Sequence, residues 1–168
     1  MKKIAIIGPE STGKSTLSKA LATHYNEPFV PEYGRKYLEE NGKDYNRSDL
    51  LAISKGMVIW EERMSFIAKN LLFCDTDLIM MKVWYEVNYG ECHPWVLNHL
   101  QSRPYNFYLL CAPDLPWEED PLRENPNMRD KLFERYHNEL VESNLDYTVI
   151  SGTKDRLERA IEAVEKIR

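Results

Sequence analysis

The sequence predicts a three-layer α/β/α fold built on a five-stranded parallel sheet. Short apolar or β-branched runs alternate with longer segments whose apolar residues recur at helical spacing. Such alternation is typical of parallel strands that are buried between two layers of helices. The chain has 168 residues, of which 43% are hydrophobic, and this suits one domain with a substantial core. We therefore expect a single domain over residues 1–168.

The predicted elements are bounded by turn residues, prolines or polar residues. Asn46 or Ser48 is expected to begin the longest helix, because both side chains can accept hydrogen bonds from helix amides. The helix after the third strand is expected to end at Gly90. Shorter helices are predicted over 33–40 and 94–101. The predicted strands are 4–7, 28–31, 71–74, 105–111 and 147–150.

A phosphate-binding motif joins the first strand to the first helix. Gly8 is followed by four residues and then by Gly13, Lys14 and Ser15, which completes the pattern G-x-x-x-x-G-K-[ST]. Glycines let the backbone approach a polyphosphate, and the loop amides and the helix N-terminus attract the anion. Lys14 is expected to reach the β- and γ-phosphates, and Ser15 to ligate Mg²⁺. The expected nucleotide contacts are Gly8, Glu10, Ser11, Thr12, Gly13, Lys14, Ser15 and Thr16.

The segment after the last predicted strand favours ATP over GTP. Residues 151–155 read Ser-Gly-Thr-Lys-Asp and are expected to border the nucleotide base. The guanine signature N/T-K-x-D requires one residue between the lysine and the aspartate, but Lys154 and Asp155 are adjacent. The expected cofactors are therefore ATP and Mg²⁺.

Two acidic residues are predicted at the carboxyl ends of the strands, on the side of the sheet where the phosphate loop lies. Asp75 ends the third strand, the position of a Walker B aspartate that orders Mg²⁺. The alternative role, a helix cap, suits Asp77 better. Glu32 ends the second strand, where it can bind a sugar hydroxyl or act as a general base. A surface ion pair of Glu32 with Arg35 or Lys36 is equally compatible with the sequence.

A polar segment punctuated by prolines, at about residues 112–130, is predicted to form a lid. Arg123 and Arg129 lie within it and are expected to neutralise charge on the transferred phosphoryl group, with Arg135 as a third candidate. Lid closure would exclude water and so limit ATP hydrolysis. A solvated loop with ordinary surface arginines is the alternative.

Aromatic residues are frequent in the helix that follows the third strand. At helical spacing such residues more often belong to the core than to a binding surface. A cationic ring would nevertheless be bound well by an aromatic slot, through stacking and cation–π attraction. The expected substrate contacts are Glu32, Arg35, Asp77, Trp84 and Tyr85.

Charge and cysteine content exclude several classes of protein. The net charge of −5 argues against a nucleic-acid binder, and no apolar run suggests a membrane span or a secretion signal. Cys74, Cys92 and Cys111 are odd in number and widely separated, which is typical of reduced thiols in a cytoplasmic protein. The expected partners are therefore small molecules. The sequence leaves the oligomeric state open, a homo-oligomer included.

The sequence resembles the ribosylnicotinamide kinase domain of NadR-type NAD-biosynthesis proteins, within the P-loop kinase superfamily. The resemblance covers nearly the whole chain, and its motifs are residues 8–16, 31–35, 75–77, 123–126 and Arg129. It implies a P-loop kinase fold and ATP-dependent phosphorylation of the 5′-hydroxyl of nicotinamide riboside. Adenylyl transfer and operator binding, which other domains of such proteins carry, are not expected of this sequence.

On this basis the reaction is assigned to residues from the loop, the strand ends and the lid. The expected catalytic residues are Lys14, Glu32, Asp75, Arg123 and Arg129, and the expected Mg²⁺ ligands are Ser15 and Asp75. Glu32 and Asp75 stay alternatives for the base that receives the hydroxyl proton. Two other functions also stay open: a kinase of another nucleoside or of a nucleoside monophosphate, and an ATP-driven regulatory ATPase module.

Overall fold

Five strands and seven helices follow one another in the computed structural model, which describes residues 1–102 and 105–168. None of the helices in these two ranges is long and apolar enough to cross a membrane. The elements, in chain order, are β1 (Lys2–Ile7), α1 (Lys14–Tyr25), β2 (Phe29–Val30), α2 (Tyr33–Asn41), α3 (Arg47–Ser65), β3 (Leu71–Asp75), α4 (Leu78–Tyr89), α5 (Pro94–Ser102), β4 (Phe107–Cys111), α6 (Arg129–Glu142), β5 (Tyr147–Ile150) and α7 (Arg156–Glu165).

The strands form one parallel sheet in the order β2-β3-β1-β4-β5, with β1 at its centre. Successive side chains of β1 point to opposite faces of the sheet. Ile4 and Ile6 pack with residues of α1 and α7, whereas Ala5 and Ile7 pack with residues of α4 and α6. Both faces are therefore covered by helices, as a buried parallel sheet requires. The predicted three-layer α/β/α fold is confirmed.

Two strands are shorter than the sequence suggested. The strand predicted over 28–31 is reduced to Phe29–Val30. It lies at the sheet edge between Pro28 and Pro31, and proline has no amide hydrogen to donate to a neighbouring strand. Strand β4 begins at Phe107. The order of the elements is unaffected.

Helix α3 begins with a reciprocal cap. The Asn46 side chain accepts hydrogen bonds from the backbone amides of Ser48 (2.7 Å) and Asp49 (3.3 Å). The Asp49 side chain in turn accepts from the Asn46 amide at 2.8 Å. Of the two predicted caps, the structure therefore selects Asn46.

Asp77 caps helix α4 and is almost completely buried, with 1% of its surface exposed. Its Oδ1 accepts hydrogen bonds from the amides of Ile79 (3.0 Å) and Met80 (3.3 Å). Asp77 is not among the described residues that line the cavity at the phosphate loop, which is described below, and the substrate contact expected of it stays a prediction. Burial, reinforced by the charge of Glu61, raises the pKa of Asp77 to about 7 although the two amides act in the opposite direction.

The substitution Asp77→Asn is expected to raise the free energy of unfolding at pH 8 and to change it little near pH 4. The pKa of Asp77 is about 7 in the folded chain against an ordinary value of 3.8, so the folded state binds the proton more tightly. Stability is therefore lost as the pH rises from 3.8 to about 7, and the loss is complete above that value. At 1.36 kcal/mol per pKa unit the gain at pH 8 is up to about 4 kcal/mol.

Urea unfolding at pH 4, 6 and 8 measures this effect. Asparagine remains a good helix cap, so the change removes the charge and keeps the hydrogen bonds at Oδ1. Asp44→Asn, in an exposed loop, is the control and is expected to have little effect at each pH. Equal stabilities of wild type and Asp77→Asn at pH 8 would contradict the prediction.

Gly56 of α3 makes room for the ring of Tyr33 at the start of α2. A Cβ atom at Gly56 would lie 2.0 Å from Cε1 of Tyr33. The Tyr33 ring also packs edge-on against Trp60, with ring centroids 4.9 Å apart. Tyr33 directly follows Glu32, so this packing fixes the position of the backbone at Glu32.

Gly56→Ala is expected to lower the free energy of unfolding by about 1–3 kcal/mol, because the added methyl group displaces the Tyr33 ring. This is opposite to the effect of helix propensity, which favours alanine over glycine by about 1 kcal/mol. Urea unfolding measures the change, with Ile59→Ala on the exposed face of α3 as the control. A variant as stable as wild type would show that Tyr33 moves freely.

Candidate active site

The phosphate loop runs from the end of β1 to the start of α1, and two of its glycines have positive φ angles. Gly8 has φ +143°, and a Cβ atom there would lie 2.5 Å from the carbonyl oxygen of Cys111. Gly13 has φ +75° and precedes the first helical residue. Both conformations are poorly accessible to other residues. The motif glycines are therefore required by the backbone itself.

Lys14 lies inside this loop and is buried, with 8% of its surface exposed. Its Nζ donates a hydrogen bond to the carbonyl oxygen of Pro9 at 2.6 Å. The hydroxyl of Thr12 donates to the same oxygen at 2.8 Å. The loop thus holds a buried positive charge at the wall of the cavity.

One cavity of about 790 Å³ joins the phosphate loop to the elements on both sides of it. This volume is within the range of roughly 300–1,000 Å³ that is typical of small-molecule sites. On the side of β5 the cavity is lined by Arg156 and Leu157 at the start of α7. On the side of β2 it is lined by Glu32, Arg35 and Trp84. The cavity therefore extends across the carboxyl ends of the parallel strands, where ligands of such sheets bind.

Asp75 lies beside the phosphate loop at the end of β3 and is 3% exposed. Burial raises its pKa, whereas the charge of Lys14 and a hydrogen bond with Ser15 act in the opposite direction. Its Oδ1 atom is buried and has no hydrogen-bond partner among the described residues. A carboxylate oxygen without a donor, next to a hydroxyl, fits a hard divalent cation such as Mg²⁺.

Glu32 lines the cavity from the position just before the first residue of α2. Burial, followed by the negative charge of Asp75, raises its pKa. The sequence allowed an ion pair between Glu32 and Arg35. In the structure Arg35 pairs with Asp120 instead, at 2.8 Å. Lys36 pairs with Glu40 on the surface. The Glu32 carboxylate is thus presented to the cavity.

The segment between β4 and α6, residues 112–128, forms turns and irregular structure across the phosphate loop. We call it the lid segment. The hydroxyl of Ser11 donates to the carbonyl oxygen of Pro116 (3.2 Å) and accepts from the amide of Glu118 (2.9 Å). These bonds hold the lid segment directly against the loop.

The three arginines that the sequence proposed for the phosphoryl group lie in different places. Arg123 lines the cavity, 3.5 Å from the Ser11 hydroxyl. Arg129 donates to the carbonyl oxygens of Ser11 (3.1 Å) and Leu115 (2.8 Å), so it ties the lid segment to the loop. Arg135 pairs with a side chain of α4, Glu86, at 2.7 Å. In the part of the chain that the structure describes, Arg123 alone of these three lines the cavity.

Trp84 and Tyr85 are neighbours in α4 but face different surroundings. Trp84 lines the cavity. Tyr85 is 1% exposed and donates its hydroxyl hydrogen to the carbonyl oxygen of Arg47 at 2.9 Å. Adjacent helical residues point about 100° apart, so one helix face cannot present both. The structure thus places Tyr85 in the core and Trp84 at the cavity, and the expected substrate contacts of both residues stay predictions.

Arg156 is a cavity residue that the sequence analysis did not identify. Its guanidinium donates to the carbonyl oxygen of Thr12 (3.0 Å) and to Asp114 (2.7 Å). It thereby connects α7 to both the phosphate loop and the lid segment. The available signal was its place just after residues 151–155, the segment expected to border the base.

Two curated relatives match the chain along its length. The Trifunctional NAD biosynthesis/regulator protein NadR of Escherichia coli is 29% identical over 175 residues, covering 100% of this chain and 42% of that protein. The protein of the same name from Salmonella typhimurium is 27% identical over 177 residues, covering 99% of this chain and 43% of that protein. The chain thus spans less than half the length of these relatives.

Two solved structures illustrate that the fold is shared. NadR in complex with NR superposes with a TM-score of 0.80 at 24% identity, over 99% of this chain and 51% of that one. Deoxyadenosine kinase from M. mycoides has a TM-score of 0.72 at 14% identity, over 98% of this chain and 100% of that one. At these identities the likeness establishes the fold alone.

The sequence also matches a family described as AAA domain, over residues 3–159. The match begins in β1, includes the whole phosphate loop and the lid segment, and ends in α7. It therefore contains every element that forms the cavity. The chain belongs to this AAA domain family of phosphate-loop proteins.

Proposed function

We propose that this chain is an ATP-dependent kinase that phosphorylates the 5′-hydroxyl of nicotinamide riboside to give nicotinamide mononucleotide. The observation that carries the proposal is the single cavity that contains both the phosphate loop and the wall formed by Glu32 and Trp84. A kinase needs a triphosphate and an alcohol in one enclosed space, because transfer occurs only between reactants held in line.

Similarity to NadR supports the choice of acceptor. The relatives are named as NAD biosynthesis proteins, and NadR structures contain NR in one case and NAD with AMP-PNP in another. NR is the abbreviation of nicotinamide riboside, and AMP-PNP is an ATP analogue. Because the chain corresponds to less than half of these relatives, we carry over the kinase reaction alone.

On the donor side, the loop amides and Lys14 would hold the β- and γ-phosphates of ATP. Ser15 and Asp75 would hold Mg²⁺, which when bound neutralises negative charge on these phosphates. Arg123 lies at the same cavity wall, on the lid segment, where a guanidinium group can stabilise the transferred phosphoryl group. The lid segment would also exclude water from the site.

On the acceptor side, we assign the general base to Glu32 and the metal-binding role to Asp75. Glu32 lines the cavity, whereas Asp75 is buried next to Ser15. The raised pKa of Glu32 makes this carboxylate a stronger base than one in water. It would accept the proton of the 5′-hydroxyl as the oxygen attacks the γ-phosphorus and ADP leaves.

Acceptor recognition would rely on the aromatic and acidic groups of the same wall. Nicotinamide riboside carries a positively charged pyridinium ring, which is attracted to the face of an indole. Trp84 lines the cavity together with the carboxylates of Asp120 and Glu124. A negatively charged aromatic wall selects a cation over a neutral base.

We also infer that the enzyme is cytoplasmic and acts on small molecules, since the net charge is negative and the cysteines are free.

A panel of acceptors tests the substrate, with ATP consumption and phosphorylated product measured together. Nicotinamide riboside is expected to have the highest kcat/KM. A preference for deoxyadenosine or thymidylate would favour the alternative suggested by the fold of deoxyadenosine kinase and thymidylate kinase. ATP consumption without any phosphorylated acceptor would instead favour a regulatory ATPase.

Lys14→Ala is expected to abolish phosphoryl transfer, because the buried ammonium group is removed from the phosphate loop. Product formation measured by chromatography checks this, and circular dichroism checks that the variant is folded. Lys36→Ala on the surface of α2 is the control and is expected to retain activity. Turnover retained in Lys14→Ala would refute the proposed donor site.

Glu32→Gln is expected to lower kcat by about 10²- to 10⁴-fold, the usual contribution of a general base. Affinity for the ATP analogue, measured by calorimetry, is expected to change little. In wild type, kcat/KM for the acceptor is expected to fall as the pH is lowered through the raised pKa of Glu32, because the protonated form cannot accept a proton.

Glu39→Gln, a half-exposed neighbour on α2, is the matched control. It is expected to preserve both kcat and the pH profile of the wild type. A Glu32→Gln variant with unchanged kcat would return the role of base to Asp75.

A further inference from the structure

A chain of hydrogen bonds runs from the cavity wall to the lid segment through Tyr45. The indole Nε1 of Trp84 donates to the hydroxyl of Tyr45 at 2.8 Å, and this hydroxyl donates to Oε2 of Glu124 at 3.0 Å. The Tyr45 ring also packs edge-on against Trp84, with ring centroids 5.0 Å apart. Trp84 and Glu124 line the cavity, whereas Tyr45 belongs to the loop between α2 and α3.

Glu124 is also attached to the phosphate loop. Its backbone amide donates to the carboxylate of Glu10 (3.1 Å), and the amide of Asn125 donates to the same carboxylate (2.9 Å). Glu10 belongs to the loop that ends at Lys14. Glu124 therefore contacts the donor side of the cavity through its backbone and the acceptor side through its carboxylate.

A second contact joins the lid segment to the acceptor side. Arg35 of α2 pairs with Asp120 at 2.8 Å, and Asp120 also accepts from the amide of Leu122 at 2.9 Å. Leu122 lines the cavity and packs against the hydrophobic cluster of α2, α3 and α4. The lid segment is thus held on both sides of the cavity at once.

We propose that Tyr45 and Glu124 are positioning residues that orient Trp84 and couple acceptor binding to occupancy of the phosphate loop. On the proposed kinase function, on which this inference rests, a bound triphosphate fixes the loop and, through Glu10, the backbone at Glu124. Trp84 is then already oriented when the acceptor arrives, so less conformational entropy is lost on binding. The donor and the acceptor therefore bind with positive cooperativity.

Titration calorimetry of nicotinamide riboside, with and without magnesium AMP-PNP, measures this coupling. Wild type is expected to bind the acceptor about fivefold or more tightly when the analogue is present. Tyr45→Phe removes both hydrogen bonds and keeps the ring, so the ratio is expected to fall towards one. The acceptor KM is expected to rise by about threefold to tenfold. Affinity for AMP-PNP alone is expected to be unchanged.

Two further variants separate coupling from loss of stability. Tyr37→Phe also removes a partly buried hydroxyl hydrogen bond, to Asp49 at 2.7 Å, and neither residue is among the described residues that line the cavity. It is expected to keep the wild-type ratio. Glu124→Gln keeps an oxygen that can accept from Tyr45 and is expected to preserve most of the ratio, whereas Glu124→Ala loses it. A ratio of one in wild type, or a wild-type ratio in Tyr45→Phe, would overturn the proposal.

A spectroscopic measurement tests the coupling without any acceptor. The indole N–H resonance of Trp84, in protein labelled with ¹⁵N-tryptophan, is expected to shift on addition of magnesium AMP-PNP and to shift less in Tyr45→Phe. If wild type does not phosphorylate nicotinamide riboside but shows this difference, the proposed function fails and the coupling stands. If the kinase reaction is found and the two shifts are equal, the coupling fails and the proposed function stands.

Discussion

The structure depends on the close approach of Gly8 to the backbone of β4. No side chain could be placed between Gly8 and the carbonyl oxygen of Cys111. The first residue of the phosphate loop therefore lies directly against β4, the strand that pairs with β1. On its other side, β1 pairs with β3 in a register that sets Ile6 opposite Asp75. The amide of Thr76 donates to the carbonyl oxygen of Ile6 at 3.0 Å. The pairing of β1 with β3 therefore brings the phosphate loop and Asp75, the last residue of β3, together.

The same backbone constraint concentrates charge at one end of the sheet. Two carboxylates, Glu32 and Asp75, lie near the buried ammonium group of Lys14, and the charge of Asp75 adds to the raised pKa of Glu32. One lysine cannot compensate two carboxylates and an anionic ligand together. A triphosphate bound at this site would require additional positive charge. A cation held at the unpartnered oxygen of Asp75 and the guanidinium group of Arg123 would supply it.

The sequence was sufficient for those parts of the site that backbone topology determines. Parallel strands end at one edge, so Glu32 and Asp75 could be placed beside the phosphate loop from their strand positions. Helix rotation is set by packing, and this is why the sequence did not separate Trp84 from Tyr85. The separate roles of Arg123 and Arg129 depend on the path of an irregular segment. Tyr45 and Arg156 approach the cavity only through contacts between residues distant in the chain, which no local pattern reveals.

The lid segment is attached to the phosphate loop mostly by main-chain atoms of its own: the carbonyl oxygen of Pro116 and the amides of Glu118, Glu124 and Asn125. Attachment of this kind tolerates replacement of most side chains on the segment. On the proposed kinase function, acceptor selectivity could therefore be changed at Leu122 while the backbone contacts to the phosphate loop are retained. A change of acceptor at this position would then leave the proposed ATP site intact.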